Sequence, residues 1–151
     1  MLKPEIEMRA DFVSGRLAVF NPDNCIDCAQ SLAFCRFDAI EHTSPGKYPV
    51  IEELCEGCAV CVKLCPEQAF DFAPRHCGEY FRSRTRFGTM IHAELAPGAE
   101  NSGRLILLLK QEAAKAAKKD GAEIILSDGT PGIGCPVISS LSGAGLVCAV
   151  L

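Results

Sequence analysis

Residues 55–66 read Cys55-Glu56-Gly57-Cys58-Ala59-Val60-Cys61-Val62-Lys63-Leu64-Cys65-Pro66, a C-x2-C-x2-C-x3-C-P run. Thirty residues earlier the chain repeats it: Cys25, Cys28 and Cys35 precede Cys55, Cys58 and Cys65 by that offset, as Ala39 precedes Ala69 and Ile40 precedes Phe70. Ser31 takes the place of Cys61, so the first copy lacks one sulfur. Such self-similarity implies two copies of one small unit packed about a pseudo-twofold axis. Each copy runs from a strand through a cysteine cluster into a short helical turn. Leu17-Ala18-Val19-Phe20 leads through Asn21-Pro22-Asp23-Asn24 into the first cluster, and Tyr48-Pro49-Val50-Ile51 through Glu52-Glu53-Leu54 into the second. Thr43-Ser44-Pro45-Gly46-Lys47 is turn chemistry and joins the copies as a loop.

The second run has the cysteine spacing of bacterial 4Fe-4S ferredoxins. Three closely spaced thiolates wrap one face of a cubane, and small residues such as Gly57 and Ala59 let the backbone approach its sulfides. The fourth cysteine sits too far along to close the same cluster and reaches across to the other. Cys55, Cys58, Cys61 and Cys35 are therefore expected to hold one cluster. Cys25, Cys28 and Cys65 are expected to hold the second, with Ser31 at the remaining corner. Structural zinc also uses C-x2-C pairs, but as two separated pairs around one ion, which a repeated triple run followed by C-P does not suit. For the first copy, three sulfurs and a serine leave open a 3Fe-4S cluster, an oxygen-ligated and labile 4Fe-4S cluster, or a site that merely packs.

The chain has 151 residues, 23% charged and 48% hydrophobic, enough for one ordinary domain or two small ones and unlike a disordered tail. Its net charge of -4 provides no electrostatic footprint for nucleic acid. No apolar run is long enough to span a bilayer, and the first residues lack the apolar core of a secretory signal. Ten cysteines without an export signal predict metal-held thiolates in the reducing cytoplasm. Eight lie between Cys25 and Cys77; only Cys135 and Cys148 lie outside. Cys77 and Cys148 read as small buried apolar side chains.

From Thr89 onward the pattern reads as alternating strands and helices. Met90–Leu95 is a predicted strand, and Asn101 or Ser102 can cap a helix over 103–119 with an apolar stripe of Leu105, Leu108, Leu109, Ala113 and Ala116. Glu123–Ser127 and Leu146–Leu151 are predicted buried strands, with a short helix beginning near Pro136 between them. Such a β-α-β-α-β series implies part of a parallel sheet. Asp128 would then sit at the carboxyl end of a strand, where a Walker-B aspartate orients the water shell of a nucleotide-bound Mg²⁺. It could equally open a Gly-Pro turn. No G-x-x-x-x-G-K-[ST] phosphate loop occurs, so this polypeptide alone is expected not to hydrolyse ATP.

Together these residues resemble the MinD/ParA-like P-loop ATPases that carry an inserted bacterial-type ferredoxin domain. The resemblance rests on the repeated cysteine clusters, Cys77-Gly78-Glu79-Tyr80-Phe81, Glu100-Asn101-Ser102-Gly103-Arg104-Leu105, and 128–137 (Asp-Gly-Thr-Pro-Gly-Ile-Gly-Cys-Pro-Val). It implies an α+β, ferredoxin-like two-cluster domain inserted in part of an α/β parallel-sheet P-loop NTPase domain. Residues 1–20 would be a connector or strand of the interrupted ATPase domain, 21–74 the ferredoxin domain, and 75–151 part of the ATPase domain. In that family the phosphate loop precedes the point where this chain begins, and further elements follow Leu151. The resemblance also carries the switch aspartate onto Asp128 and its moving loop onto Pro131 and Gly132. Mg-ATP binding, nucleotide turnover and a homodimer are then expected of the complete protein only. Ser31 departs from the family's cysteine pattern, and Thr130 stands where a proline is common.

The expected function is single-electron transfer with a redox partner protein. The alternative is a module whose clusters staple the fold for interaction or are carried to another protein. Arg75, Arg82, Arg84 and Arg86, with His76, form the chain's basic concentration; it reads as a solvated stretch, or as a dock for an acidic redox partner or, in the complete protein, nucleotide. His42 and His92 are expected to be structural.

Overall fold

The computed structural model describes residues 3–99 and 103–149. Its elements are strand β1 (Glu5–Phe20), a 3-10 turn (Pro22–Asn24), helices α1 (Gln30–Phe34) and α2 (Val60–Leu64), strands β2 (Phe70–Thr85) and β3 (Gly88–Leu95), and helices α3 (Gly103–Asp120) and α4 (Cys135–Leu141). The strands form one antiparallel sheet in the order β1-β2-β3. The chain divides into two units, Val13–His76 and the residues up to Phe12 together with those from Cys77 onward. β1 and β2 contribute residues to both.

The cysteine-rich unit keeps the repeat in the bonds that close it. The Asn21 N–H donates to the Ala69 carbonyl at 2.8 Å, and thirty residues on, the Ile51 N–H donates to the Ala39 carbonyl at 2.8 Å. The stretch entering each copy thus pairs with the end of the other. Left-handed backbone recurs at the same offset: Asp27 and Gly57 (φ 58° and 62°), Ala29 and Ala59 (57° and 60°), Asp38 and Gln68 (51° and 52°). Its core is Leu17, Ala18, Ala39, Ile40, Tyr48, Cys55, Ala69 and Phe70, which is little apolar surface for a unit of this size. Metal ligation is the natural supplement to so small a core.

In the other unit, β2 and β3 form a hairpin that pairs Gly78 with Leu95 through to Thr85 with Gly88. Leu105 of α3 is buried against Phe12 and Cys77, with Leu108 and Leu109 packed alongside, so the predicted stripe is the one that turns inward. The Lys110 ammonium donates to the carbonyls of Ser139, Ser140 and Ser142 and so caps the end of α4. Ser83 is fully buried and hydrogen-bonds the His92 ring at 2.9 Å, while Phe81 stacks on that ring. Among the described residues, no helix is long and apolar enough to cross a membrane.

Several expectations require correction. The strand foreseen at Leu17–Phe20 is the end of a sixteen-residue strand, and Tyr48–Ile51 makes only an isolated bridge, Ile40 with Val50. β2 was not foreseen, because its Pro74 and alternating arginines look like a polar connector; flanked by β1 and β3, it becomes the central strand. Met90–Leu95 is a strand, but an antiparallel one. Glu123–Ser127 and the described part of Leu146–Leu151 form no strand, and Ile124, Leu126 and Leu146 are 82%, 95% and 90% exposed. A strand exists by pairing its N–H and C=O groups with a neighbour, and no described strand pairs with these segments. The parallel sheet is therefore absent from the described residues. Cys77 is buried as expected, whereas Cys148 is exposed. The cap proposed at Asn101 or Ser102 lies outside the described residues.

Gly57 gives the repeat a sensitive point, since a Cβ there would lie 2.2 Å from the Arg16 carbonyl oxygen. Gly15 also has positive φ but faces open space. Gly57→Ala is expected to destabilise the chain by about 2 kcal/mol or more, and Gly15→Ala by roughly 1 kcal/mol. Denaturant titration of the two variants checks the difference.

Candidate metal centre

Each cysteine loop is shaped by residues held in the left-handed region. Asp27 and Ala29 bracket Cys28, and Gly57 and Ala59 bracket Cys58. Aspartate tolerates this conformation better than most residues, and glycine adopts it freely. The turns point backbone N–H groups toward sulfur in both copies: Ala39 N–H to Cys35 Sγ at 3.4 Å, and Ala69 N–H to Cys65 Sγ at 3.3 Å. Such bonds stabilise a thiolate, the form in which cysteine binds iron.

One cavity, with about 400 Å³ of empty space including its mouth, is lined by Cys25, Cys28, Ser31 and Cys65. Cys65 comes from the second copy and the other three from the first. Cys61, also of the second copy, lines this cavity too. Burial pushes the Cys61 thiol up, and the thiols of Cys55, Cys58 and Cys35 push it the same way. A cluster of like-charged thiolates becomes favourable only when metal neutralises it. Among the described residues, no group of three His, Cys, Asp or Glu side chains gathers closely enough to hold a single metal ion. Cys25, Cys28, Cys61 and Cys65 line a space, with sulfur donors and backbone N–H groups on Cys25 and Cys65 of the kind that suit an iron–sulfur core.

Tyr48 is a member of this site that sequence reasoning missed. It lines the cavity, and its hydroxyl donates to the Asp27 carboxylate at 2.6 Å, joining the strand-like entry of one copy to the cysteine loop of the other. This bond, with the Gly46 N–H, holds the Asp27 carboxyl below its ordinary range. The same bond, with burial second, pushes the Tyr48 phenol up to about 12. His42 stacks on the Tyr48 ring with centroids 5.0 Å apart. A lone tyrosine in an apolar stretch was the available signal, since its buried hydroxyl needs a partner.

Asp128, Pro131 and Gly132 lie in the exposed loop that follows the unpaired 123–127 segment, in a different unit from the cysteine clusters. Asp128 thus does not stand at the end of a strand among the described residues. The basic concentration is largely engaged. Arg84 pairs with Glu7 at 2.7 Å, Arg82 lies 3.8 Å from the same carboxylate, Arg75 donates to the Cys55 carbonyl, and Arg86 lies over the Phe87 ring.

The family of 4Fe-4S dicluster domains matches residues 18–72, the stretch that carries both loops. These residues form an iron–sulfur domain of the ferredoxin type. The uncharacterized protein MJ0578 of Methanocaldococcus jannaschii is 35% identical over 129 residues, covering 85% of this chain and 43% of that protein. Subunit PorD of pyruvate synthase from the same organism is 28% identical over 51 residues, 34% of this chain and 59% of the subunit. A ferredoxin of Pyrobaculum islandicum is 33% identical over 64 residues, 42% of this chain and 60% of its own length. The chain thus spans between 43% and 60% of these curated relatives. No solved structure matches it.

Two substitutions probe the site. Cys58→Ala is expected to remove the iron and visible absorption of one site and leave the other, measured by anaerobic iron and sulfide analysis. Tyr48→Phe is expected to speed iron loss from the cavity to a chelator by about tenfold, in line with the loss of an outer-shell support. An unchanged rate would show that the Asp27 bond does not brace the loop.

Proposed function

We propose that this chain is a one-electron transfer module in which Cys55, Cys58, Cys61 and Cys35 hold one cluster and Cys25, Cys28 and Cys65 hold the other, with Ser31 at the latter's remaining corner. The observation that carries this reading is that Cys65 of the second copy lines the same cavity as Cys25 and Cys28 of the first. That crossing supports the ligand exchange of two-cluster ferredoxins, which needs a second-copy thiol at the first copy's site. Cys28 and Cys58 are exposed, so each site has a sulfur at the surface where a redox partner protein can dock. When bound, the clusters supply the electron-accepting centres; the protein positions them, and its N–H groups stabilise the thiolates.

The module belongs, in this proposal, to a longer MinD/ParA-like ATPase that supplies the phosphate loop, forms a homodimer, and turns over Mg-ATP near Asp128, Pro131 and Gly132. Two observations support it. Matching to MJ0578 covers most of this chain and less than half of that protein. Ile124, Leu126 and Leu146 are apolar and unpaired, as strands of a sheet completed by other segments would be.

Mild reductant is expected to bleach the visible absorption of the chain reversibly, with no ATP hydrolysis. Clusters that resist reduction at accessible potentials would instead favour a cluster-stapled interaction module or a carrier. With a phosphate-loop segment supplied, cluster reduction is expected to depend on nucleotide; indifference to ATP would refute the coupling.

A further inference from the structure

The unit Val13–His76 is acidic: nine aspartates and glutamates stand against five cations, Arg16, Arg36, Lys47, Lys63 and Arg75. An electron entering such a unit adds negative charge among negative charges, which opposes reduction unless a cation is held close. Arg16, Arg36, Lys47 and Lys63 are exposed, where water and salt screen them; Arg75 alone of the five is half-buried.

Arg75 is also aimed. It stands in β2, and its Nη1 donates to the carbonyl of Cys55 at 3.1 Å. Cys55 opens the second cysteine run and is itself buried, 9% exposed. The backbone on either side of that carbonyl is fixed. The Cys55 N–H donates to the Ile51 and Glu52 carbonyls at 3.1 and 3.3 Å, and two residues on, Gly57 lies against the Arg16 carbonyl. The guanidinium therefore meets a loop with little freedom to shift.

The first copy does without this contact. Under the thirty-residue repeat Cys55 corresponds to Cys25 and Arg75 to Pro45, a residue with neither a charge nor a donor group. The turn of the first copy forms all the same, with Asp27 and Ala29 at the same left-handed positions as Gly57 and Ala59. The cation is thus an addition to the second loop rather than a part that the loop's fold requires.

We infer that Arg75 is a positioning residue of the second site, whose cation, held on the Cys55 carbonyl, makes that site easier to reduce. This rests on the ferredoxin-type reading above. The step is a single electron: a reductant such as dithionite gives it up, and the four-iron core on Cys55, Cys58, Cys61 and Cys35 gains one unit of negative charge. No covalent bond forms or breaks and no proton moves. Arg75 is already in place before the electron arrives, so the more negative core is favoured without rearrangement of the chain.

The test compares the whole 151-residue chain with its Arg75→Gln, Arg75→Glu and Arg75→Lys variants, reconstituted without oxygen and titrated with dithionite under EPR. The second site's signal is the one that Cys58→Ala lacks. At a given potential, Arg75→Gln is expected to lower the ratio of reduced to oxidised second site by about tenfold, ~59 mV for one electron. Arg75→Glu lowers it further. Arg75→Lys, which keeps the charge and loses the planar fork, stays within about threefold of wild type. An unchanged midpoint in Arg75→Gln and Arg75→Glu would overturn the inference. So would a shift in Arg75→Lys as large as that in Arg75→Gln, which makes Arg75 a brace of the loop rather than a source of charge. If the uncharged variant takes up no iron, Arg75→Lys decides by the same threefold limit. In each case a second-site signal on reduction of the wild-type chain preserves the ferredoxin reading; its absence there overturns both.

Discussion

Two backbone hydrogen bonds, Asn21 to Ala69 and Ile51 to Ala39, close the cysteine-rich unit on itself. Each joins the beginning of one copy to the end of the other, so neither copy is complete alone. This reciprocal closure accompanies the meeting of thiols from both copies, Cys25 and Cys28 with Cys61 and Cys65, around one cavity. The unit's apolar core is small, and bonds from thiolates of both copies to common metal cores would hold it across the same axis.

The copies have diverged where chemistry allows it. At the left-handed position before the second cysteine, Gly57 is forced by the Arg16 carbonyl, while Asp27 keeps a side chain and uses it to receive the Tyr48 hydroxyl. The facing positions, Arg16 and Gly46, are themselves related by the repeat. Where the first copy has Ser31 for Cys61, the carbonyl still accepts from the cysteine N–H four residues on, Cys35 in the first copy and Cys65 in the second. Conformation is thus conserved between the halves more strictly than composition, because the turn geometry aims the N–H groups and a change there would disturb every ligand at once.

The cysteine pattern was legible because metal ligation demands fixed spacing, and spacing survives in a linear sequence. The α3 stripe was legible for a similar reason: Leu105, Leu108 and Leu109 fall on one face at helical period. Strands fared worse. Glu123–Ser127 and Leu146–Leu151 have the composition of buried strands, yet no described neighbour pairs with them. β2 was obscured by Pro74 and its arginines, although in place it is flanked on both sides. Strand identity depends on a partner, and a partner is not a local property.

The sequence by itself determined the spacing of the candidate thiols, the thirty-residue repeat, and the serine that stands at position 31 in place of a cysteine. The tertiary structure alone decided which thiols share a cavity, that Asp27 is held by Tyr48, and that the basic run around Arg84 is engaged with Glu7. Spacing along a chain constrains only neighbours within a turn or two. Contacts between residues tens of positions apart are set by how the two copies close on each other, which no local pattern encodes.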